Sequence, residues 1–570
     1  MYEMLLRFRH NCRACRRFYD EDVESVCRSE TVGFVKKAEH RGSALGSYSC
    51  SGGRSPDPST VDTYVTALVA TTCWIVCLAA YRLLFHPLAS IPGPRSPALT
   101  SLYSTYYDCF HDGGGQYPQK LKSLHEQYGP IIRPTPDEVH FSDLDMLDTI
   151  YATRDRNSYS AGGLMVDQSV GFTEDYAHHK LRRDALNPYF SMKAVADLEP
   201  ELRVKADLLA TILRQHQRSQ QPLNLSDVLF AYSNDILRSF CFGADNGLLN
   251  DLAEARRQRE DLAELLRGVP LQSHFKGPMR LLGGILTFIK GEAALPPALR
   301  ELLAFRARIR LDIEAVLSDK SNDTKGNRGS LFHDLRDSSL PLHEKSVDRL
   351  KDEATLLVMA GTDSPRLTLA IASFYMVRVP SIMRTLREEL AAARDESQSS
   401  KLSLSSLLSL PYLGAIIQEA NRLSFGVTGR MRRYSPTHGV AYRASYGPYE
   451  GTCYALPPGT KMSTVTFCTH TNEQLFPDPW RFDPTRWLGQ SDEVNRRKRC
   501  LMAFGKGHRR CIGVNLANAS MSLALSTLAM YDMDLFETDE SDVKFKYDNQ
   551  ISHPKRGSKG VQVVVRGKDV

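Results

Sequence analysis

The chain has 570 residues, of which 42% are hydrophobic and 24% are charged, so it can bury a large core and is not wholly disordered. The net charge of +6 is too small for this length to indicate a nucleic-acid partner, and the 12 cysteines are too few for a disulfide scaffold. The mean hydropathy of -0.32 excludes a protein with many membrane spans.

The first third of the sequence predicts an extension, an anchor and the start of one large unit. Residues 1–60 end in a run rich in Ser, Gly and Pro, which predicts a disordered extension or an artefact of the assumed start codon. Residues 63–81 carry no charge, and a helix of that length is roughly 28 Å long, close to the roughly 30 Å core of a bilayer. This predicts a transmembrane anchor over residues 61–85, the alternative being a buried core helix. Residues 86–570 contain a Pro-Gly-Pro hinge at 92–94 and no later linker, which predicts a single large domain.

That unit is predicted to be mainly α, a large helical body with a long central helix and small β-sheets. Apolar residues at helical spacing predict the long helix over 342–379, stopped by Pro380. Shorter helices are predicted over 200–215, 223–242, 299–317, 382–394 and 514–530. Strands are predicted over 129–133, 139–141, 432–441, 461–467 and 560–565.

Residues 504–513 form a glycine-rich segment around one cysteine. Cys511 follows three basic residues and precedes a predicted helix. Backbone N–H groups at a helix start and nearby cations lower the pKa of a thiol, and a thiolate is a metal ligand. Glycines let a flat cofactor approach the backbone. The alternative is a small buried cysteine in a basic loop.

Every defined position of the pattern F-x-x-G-x-R-x-C-x-G is matched in this segment, by Phe504, Gly507, Arg509, Cys511 and Gly513. The pattern resembles the haem-binding signature of the cytochrome P-450 superfamily. Other short segments are similar to fungal microsomal members in secondary metabolism, of the trichodiene-oxygenase kind. The resemblance implies the cytochrome P-450 fold, preceded by one transmembrane helix, with haem b ligated through Cys511.

The resemblance also implies which arginines hold the haem propionates, since a guanidinium binds a carboxylate through two hydrogen bonds. The matching residues are Arg509, Arg183 and Arg433. In the family a tryptophan often stands four residues before the second of these, whereas His179 stands here.

A structural support for the cysteine segment is implied by two further matches. Glu419 and Arg422 match the helical E-x-x-R, and Arg486 belongs to a downstream element that resembles F-x-P-x-R-W. The resemblance implies that these three side chains form a buried lock of charges.

Residues 360–364, Ala-Gly-Thr-Asp-Ser, resemble the oxygen-activation motif A-G-x-D/E-T. The resemblance implies that Gly361 leaves room for O2 and substrate, and that Asp363 and Ser364 relay protons. Ser364 replaces the usual threonine, and Pro365 follows it. Because proline removes a backbone donor, we expect a local kink or unwinding of the long helix.

Residues 496–499 are four consecutive basic residues, and Lys506, Arg509 and Arg510 lie nearby in sequence. This cluster is either a solvated loop or a docking patch for an acidic electron donor. The resemblance implies NADPH-cytochrome P-450 reductase as that donor, with cytochrome b5 as a second one, since the chain has no flavin or nicotinamide motif.

The sequence is therefore interpreted as a haem-dependent monooxygenase that inserts one oxygen atom from O2 into a small apolar secondary metabolite, of terpenoid or polyketide type. It is expected as a single-pass protein of the endoplasmic reticulum membrane, contacting lipid, with its catalytic body in the cytosol. The substrate pocket is expected to include residues 155–176 and Phe172, Phe425, Val427 and Ile551. The alternatives are a haem-thiolate isomerase or dehydratase without external electrons, and a haem-binding protein without turnover.

Overall fold

The computed structural model describes residues 58–566, except 153, 160–163, 280, 282–283, 286–290, 292, 294, 320–329 and 399–400. Contacts divide the chain into two units, residues 1–73 and 74–570, and the site described below lies in the second. The predicted extension lies outside the described residues except for 58–60, which are helical.

Helix α1 (Pro58–Ala80) carries the apolar segment and continues into a π-helical turn, Tyr81–Phe85. Within the described part of the chain, Asp62–Phe85 is the one helix long and apolar enough to cross a membrane. None of its most apolar stretch is buried, so the alternative of a core helix is wrong. Its length and composition agree with the predicted transmembrane helix.

The second unit is mainly helical, as predicted. Caps and prolines delimit its helices: the Ser346 side chain accepts the N–H of Arg349 at the start of the longest helix, and Pro380 follows its end. The helices are α2 (Arg95–Leu99), α3 (Leu102–Cys109), α4 (Tyr117–Tyr128), α5 (Leu147–Ile150), α6 (Tyr176–Leu186), α7 (Met192–Asp197), α8 (Glu199–Ser219), α9 (Leu225–Phe242), α10 (Leu252–His274), α11 (Pro297–Ser318), α12 (Leu331–Asp337), α13 (Val347–Arg378), α14 (Pro380–Ser397), α15 (Leu404–Ser409), α16 (Pro411–Ser424), α17 (Thr466–His470), α18 (Asp492–Cys500) and α19 (Val514–Leu528).

The long helix α13 is the centre of the largest hydrophobic cluster. It packs against α9, α11, α16 and α19, so its 32 residues cross the middle of the helical body. The helix continues through Pro365 without a break, and the expected unwinding does not occur. Buried residues on both sides of the proline, from Thr362 to Thr368, hold the helix against its neighbours.

Small sheets pack at the sides of the helices. The strands are β1 (Ile131–Thr135), β2 (Glu138–Phe141), β3 (Asn157–Ser158), β4 (Leu223–Asn224), β5 (Arg433–Tyr434), β6 (Val440–Arg443), β7 (Cys453–Leu456), β8 (Lys461–Ser463), β9 (Asp532–Leu535), β10 (Tyr547–Asp548), β11 (Ser552–His553) and β12 (Gln562–Arg566). The order in the largest sheet is β1-β2-β8-β5-β3, and β4-β12-β9 form a second sheet. The pairs β6-β7 and β10-β11 are separate antiparallel hairpins.

Two predicted strands are shorter than expected. The predicted strand over 432–441 is divided into β5 and β6, which belong to different sheets. Pro436 lies between them, and a proline cannot donate to a sheet ladder. The predicted strand over 461–467 ends with β8 and is followed directly by α17.

Candidate functional site

Cys511 lies between a short 3-10 helix, Gly507–Arg509, and the start of α19. Its backbone N–H donates to the carbonyl oxygen of Phe504 at 2.8 Å, which closes the glycine-rich segment into a tight loop. Part of Cys511 is accessible to solvent, yet the residue lies deep among protein atoms, which disfavour a charge on its thiol. The thiol therefore lies at the helix start that the sequence predicted.

Gly507 is required by its backbone surroundings. Its φ is +68°, and a Cβ there would lie 2.1 Å from the carbonyl oxygen of Tyr151 and 2.7 Å from that of Ala152. The sequence suggested that glycine is needed here so that a flat cofactor can approach the backbone. The structure adds a second reason, which is contact with the backbone of a neighbouring segment. The cysteine loop rests on the end of α5, and only glycine permits this contact.

The pKa of the Cys511 thiol is raised above its ordinary value, which differs from the expected direction. Burial is the largest cause, because it disfavours the thiolate. A hydrogen bond from the Gly513 N–H and the charges of Arg183 and Arg510 act in the opposite direction but offset only part of it. The helix start and the cations favour the thiolate, as predicted, but they do not outweigh burial.

The structure brings Arg183, Arg433 and Arg509 into one electrostatic neighbourhood. The charge of Arg433 helps burial to lower the pKa of Arg509 to about 9. Arg509 donates to the carbonyl oxygens of Thr173 and Glu174, and Arg433 donates to the Ser158 hydroxyl at 2.9 Å. Among the described residues, none of the three arginines forms an ion pair with a carboxylate. The charges of Asp175 and Glu174 act on Arg509, and that of Asp184 acts on Arg183, but they do not outweigh burial, and the pKa of each of these two arginines is lowered. The cluster thus carries positive charge without a directly paired carboxylate.

His179 lies beside the arginine cluster on α6. Burial and the charge of Arg509 lower its pKa to about 3, so its imidazole is neutral at neutral pH. Its ring packs edge-on against His508, with centroids 5.6 Å apart. The buried Nδ1 atom has no hydrogen-bond partner among the described residues. The histidine that replaces the family's tryptophan therefore leaves one polar ring atom available to a ligand.

A cavity of about 580 Å³ extends beside α13. Asp363 and Ser364 line it, as do Phe172, Val427 and Ile551, and this confirms three of the four residues that were expected to line the pocket. The prediction that Phe425 lines the pocket is wrong, because Phe425 is fully buried in an aromatic cluster that includes Phe467 and Trp480. Leu164, Val166 and Gly171, from the expected segment 155–176, also line the cavity.

Asp363 has a partner that the sequence interpretation missed. The Arg366 Nε–H donates to Oδ1 of Asp363 at 2.8 Å, and both side chains are mostly buried. Residues three apart face the same side of a helix, so this spacing was a usable signal. The acid of the predicted relay is therefore ion-paired along α13.

Gly361 faces a neighbouring helix. A Cβ at this position would lie 2.8 Å from two side-chain carbons of Leu237 on α9. The glycine thus allows α9 and α13 to pack closely, and the expected role in leaving room for O2 stays a prediction.

The buried lock of charges has the predicted geometry. Glu419 and Arg422 are both 0% exposed and form two hydrogen bonds, of 2.7 and 2.8 Å. The Nε atom of Arg486 lies 3.5 Å from Oε1 of the same glutamate. Trp487 was missed as a partner, and its indole N–H donates to Oε2 at 2.9 Å. The lock holds α16 against the segment that leads to the cysteine loop.

The basic cluster is smaller than the sequence suggested. Arg509 turns inward, Lys506 pairs with Asp148 at 2.7 Å, and Arg497 donates to backbone carbonyls of Leu475 and Arg486. The members that remain exposed are Arg496, Lys498, Arg499 and Arg510. We call these four residues the basic surface.

Comparison with known proteins decides the family. The family model described as Cytochrome P450 matches residues 110–557, which include the cysteine loop, α13 and the lock. The chain belongs to the cytochrome P450 family. The predicted fold class and the predicted enzyme class, a cytochrome P450 monooxygenase, are thereby confirmed.

Curated relatives are fungal cytochrome P450 enzymes, as the resemblance predicted. The chain is 32% identical to cytochrome P450 monooxygenase tpcC of Cochliobolus heterostrophus, over 88% of this chain and 97% of the relative. It is 31% identical to cytochrome P450 monooxygenase TRI4 of Trichoderma arundinaceum, over 87% and 94%. It is also 32% identical to tryptophan 6-hydroxylase fscE of Fusarium equiseti, over 86% and 94%.

Membership of the cytochrome P450 family implies a haem-thiolate cofactor, O2 and a redox partner. The residues present fit such a cofactor. A haem carries two carboxylates, and the cluster of Arg183, Arg433 and Arg509 offers guanidinium groups that no carboxylate pairs with directly, although the charges of Asp175 and Glu174 act on Arg509. The orphaned Nδ1 atom of His179 lies beside the same cluster.

Proposed function

We propose that Cys511 ligates haem b and that the protein inserts one oxygen atom from O2 into a small, largely apolar secondary metabolite. When bound, the haem supplies the activation of O2, which thiolate ligation favours. The observation that carries the proposal is the partly accessible Cys511, whose thiol lies within the electrostatic reach of Arg183, which belongs to the unpaired arginine cluster.

Ligation requires Cys511 to lose its proton. Since burial raises the pKa of the free thiol, the metal must displace that proton. The Gly513 N–H and the charges of Arg183 and Arg510 then stabilise the thiolate. Arg183, Arg433 and Arg509 hold the haem carboxylates, with His179 as a further polar contact.

Asp363 and Ser364 are proposed to supply protons within the cavity. The Ser364 hydroxyl is the mobile donor, because no hydrogen bond to it restrains its rotation among the described residues. Asp363 is held by Arg366, and its carboxylate can exchange a proton with water or with Ser364. Both residues are provided by α13, which fixes their position relative to the substrate.

Electrons are proposed to come from NADPH through NADPH-cytochrome P-450 reductase, with cytochrome b5 as a second donor. The basic surface supports this assignment, since exposed cations attract an acidic partner and raise its association rate. The surface flanks the cysteine loop in sequence, so a docked donor is expected on the thiolate side.

The protein is proposed to be a single-pass protein of the endoplasmic reticulum membrane, with its catalytic body in the cytosol. The candidate membrane helix Asp62–Phe85 supports the anchor, and the uncharged stretch is long enough for a bilayer.

The spectrum of the reduced, CO-treated protein tests haem-thiolate ligation. We expect the strongly red-shifted Soret band of a thiolate-ligated haem, and we expect Cys511→Ala to lose it. Cys453→Ala is the matched control, since Cys453 is an exposed cysteine on β7 and should leave the band intact. Persistence of the band in Cys511→Ala would contradict the proposal.

NADPH consumption distinguishes the proposed reaction from its alternatives. Oxygenated product with NADPH and reductase supports the monooxygenase. A rearranged or dehydrated product without NADPH would indicate the isomerase or dehydratase, and no product would indicate a haem-binding protein without turnover. Comparison of metabolites before and after deletion of the gene identifies the substrate to use.

A further inference from the structure

The cavity has a polar wall as well as the apolar one formed by Phe172, Val427 and Ile551. Asp108, Tyr117, Arg430, Asp548 and Gln550 all line the same space. These residues come from α3, α4, the segment after α16 and the β10–β11 hairpin. Tyr117 donates to the carbonyl oxygen of Pro134 and Asp108 contacts His274, so these two have partners in the protein. A purely apolar ligand would still leave polar groups of Asp548 and Arg430 without hydrogen-bond partners.

Asp548 is rigidly held through one of its carboxyl oxygens. Oδ1 accepts hydrogen bonds from the Thr428 hydroxyl and from the backbone N–H of Gln550. The Asp548 N–H donates to the carbonyl oxygen of Gly115 at 2.9 Å. Oδ2 accepts no hydrogen bond from the residues that the structure describes. Because Asp548 lines the cavity, this second oxygen is available to a ligand.

Arg430 presents unpaired donors at the same wall. Its side chain is 6% exposed and stacks on the ring of Tyr117, with the guanidinium carbon 4.5 Å from the centroid. Its Nε atom lies 3.3 Å from Glu138, and both Nε and Nη1 are shut off from the cavity by protein atoms. The Nη2 atom makes no hydrogen bond within the described part of the chain and is not shut off in this way, so it is the donor that a ligand in the cavity can reach. A desolvated N–H group without an acceptor costs about 1–3 kcal/mol, so a ligand acceptor at Nη2 is favourable.

The charges at this wall favour a neutral ligand group. Burial is the main cause that raises the pKa of Asp548, and the charge of Asp108 adds to it. The Thr428 hydrogen bond, the Gln550 N–H and Arg430 lower the pKa, and the net value is about 7. A cationic ligand group would be repelled by Arg430. An anionic one would be repelled by Asp108 and Glu138, whose charges also act on Arg430.

We propose that Asp548 and Arg430 form a binding subsite for neutral oxygen-bearing groups of the substrate, a hydroxyl that donates to Asp548 and an oxygen that accepts from Arg430. The subsite rests on the proposed function, because it orients the same substrate beside Asp363 and Ser364. The substrate would then be a molecule with an apolar body and an oxygenated end. An earlier reaction that installs a hydroxyl or carbonyl group must supply it.

Equilibrium dialysis with the full-length, haem-loaded protein tests this subsite. The probes are 2-naphthaleneethanol and 2-ethylnaphthalene, which differ only by the hydroxyl. One hydrogen bond is worth about 1–1.5 kcal/mol, so we expect the wild type to bind the alcohol roughly tenfold more tightly. Equal affinities, or no binding of the alcohol, would overturn the proposal.

Variants separate the subsite from a general effect on the fold. Asp548→Ala is expected to weaken binding of the alcohol until it equals that of the hydrocarbon, and to leave the affinity for the hydrocarbon unchanged. Asp548→Asn, which keeps an acceptor, should retain most of the preference, and the exposed Glu450→Ala should retain all of it. Equal weakening of both probes by Asp548→Ala would indicate a structural role only and would overturn the proposal.

Charged analogues test whether the ligand group is neutral. The trimethylammonium and carboxylate derivatives of the same naphthyl skeleton are expected to bind no more tightly than the hydrocarbon. Tighter binding of either one would overturn the assignment of a neutral group. The reduced-CO spectrum of each preparation is recorded separately, so failure of Cys511 ligation appears as a missing band and is distinct from the dialysis result.

Discussion

The Nε–H of Arg366 donates to Oδ1 of Asp363 at 2.8 Å, one helical turn along α13. The family pattern A-G-x-D/E-T has an acid and a hydroxyl but no such cation. In this chain the acid is fixed by an ion pair, while Ser364 beside it is unrestrained. The two halves of the proposed relay therefore have different mobility, and they can be tested separately.

Loss of the Ser364 hydroxyl is expected to uncouple turnover. Ser364→Ala should reduce the product formed per NADPH, with peroxide formed in its place, and lower the product rate by roughly a hundredfold. The measurement is the ratio of product to NADPH, with a substrate that the wild type converts. Ser364→Thr keeps the hydroxyl and is expected to remain coupled. Unchanged coupling in Ser364→Ala would refute the relay role.

Removal of Arg366 is expected to destabilise the fold by stranding a buried carboxylate. Arg366→Met should lower the free energy of unfolding by about 3–5 kcal/mol, because Asp363 is only 6% exposed. Adding Asp363→Asn removes the stranded charge and should recover much of that loss. Denaturant unfolding of both single variants and the double variant gives the coupling energy. Additive effects would contradict the ion pair.

Disruption of the buried lock is expected to cost stability. Glu419→Gln leaves the fully buried Arg422 without its counter-charge, so the free energy of unfolding should fall by about 3–5 kcal/mol. Glu450→Gln changes an exposed glutamate in the same way and should be neutral. Denaturant unfolding is the measurement, and equal stability of the two variants would argue against the lock.

Asp548 is expected to make stability depend on pH. Its pKa is raised from 3.8 to about 7 in the folded protein by burial and Asp108, against Thr428, the Gln550 N–H and Arg430. The folded state therefore binds the proton more tightly, and this stabilisation is complete below about pH 3.8 and lost as the pH rises through about 7. Relative to Asp548→Asn, the wild type should lose unfolding free energy between about pH 4 and about pH 7, with little further change above that. A difference that is constant with pH would contradict this titration.

Charge reversal on the basic surface is expected to slow reduction. A variant with Arg496→Glu and Arg499→Glu should reduce the rate of electron transfer from the reductase at low salt, with a smaller effect at high salt. The same reversal at the exposed Arg443, on the β6–β7 hairpin, serves as the control. Stopped-flow reduction is the measurement, and equal rates in both variants would contradict docking at this surface.

Continuous sequence motifs were sufficient for much of the fold and part of the site. The cysteine loop, α13 and the Glu419–Arg422 pair each lie within a short stretch, where helical spacing and glycine positions carry the signal. The pairing of Arg366 with Asp363 could also have been predicted from the sequence, since the two residues are three apart on one helix.

Features made by distant segments were not predictable. Asp548 meets Thr428 across 120 residues, and no local pattern marks either one. Phe425 is an apolar residue beside the cavity-lining Val427, yet it faces an aromatic core, which composition cannot distinguish from a pocket. The sequence placed Arg509 both among the arginines implied for the haem carboxylates and beside the basic cluster, and only its tertiary contacts show that it turns inward.

The inward contacts of Arg509 give this side chain two roles. It belongs to the cluster assigned to the haem carboxylates, and it also ties down the carbonyl oxygens of Thr173 and Glu174, just beyond the cavity-lining Phe172. Under the proposed haem assignment, retention of the cofactor and order of the substrate-facing chain depend on the same side chain. Substitutions in this segment that change the preferred substrate are therefore expected to change cofactor affinity as well. This coupling reduces the number of substitutions through which such an enzyme can acquire a new substrate.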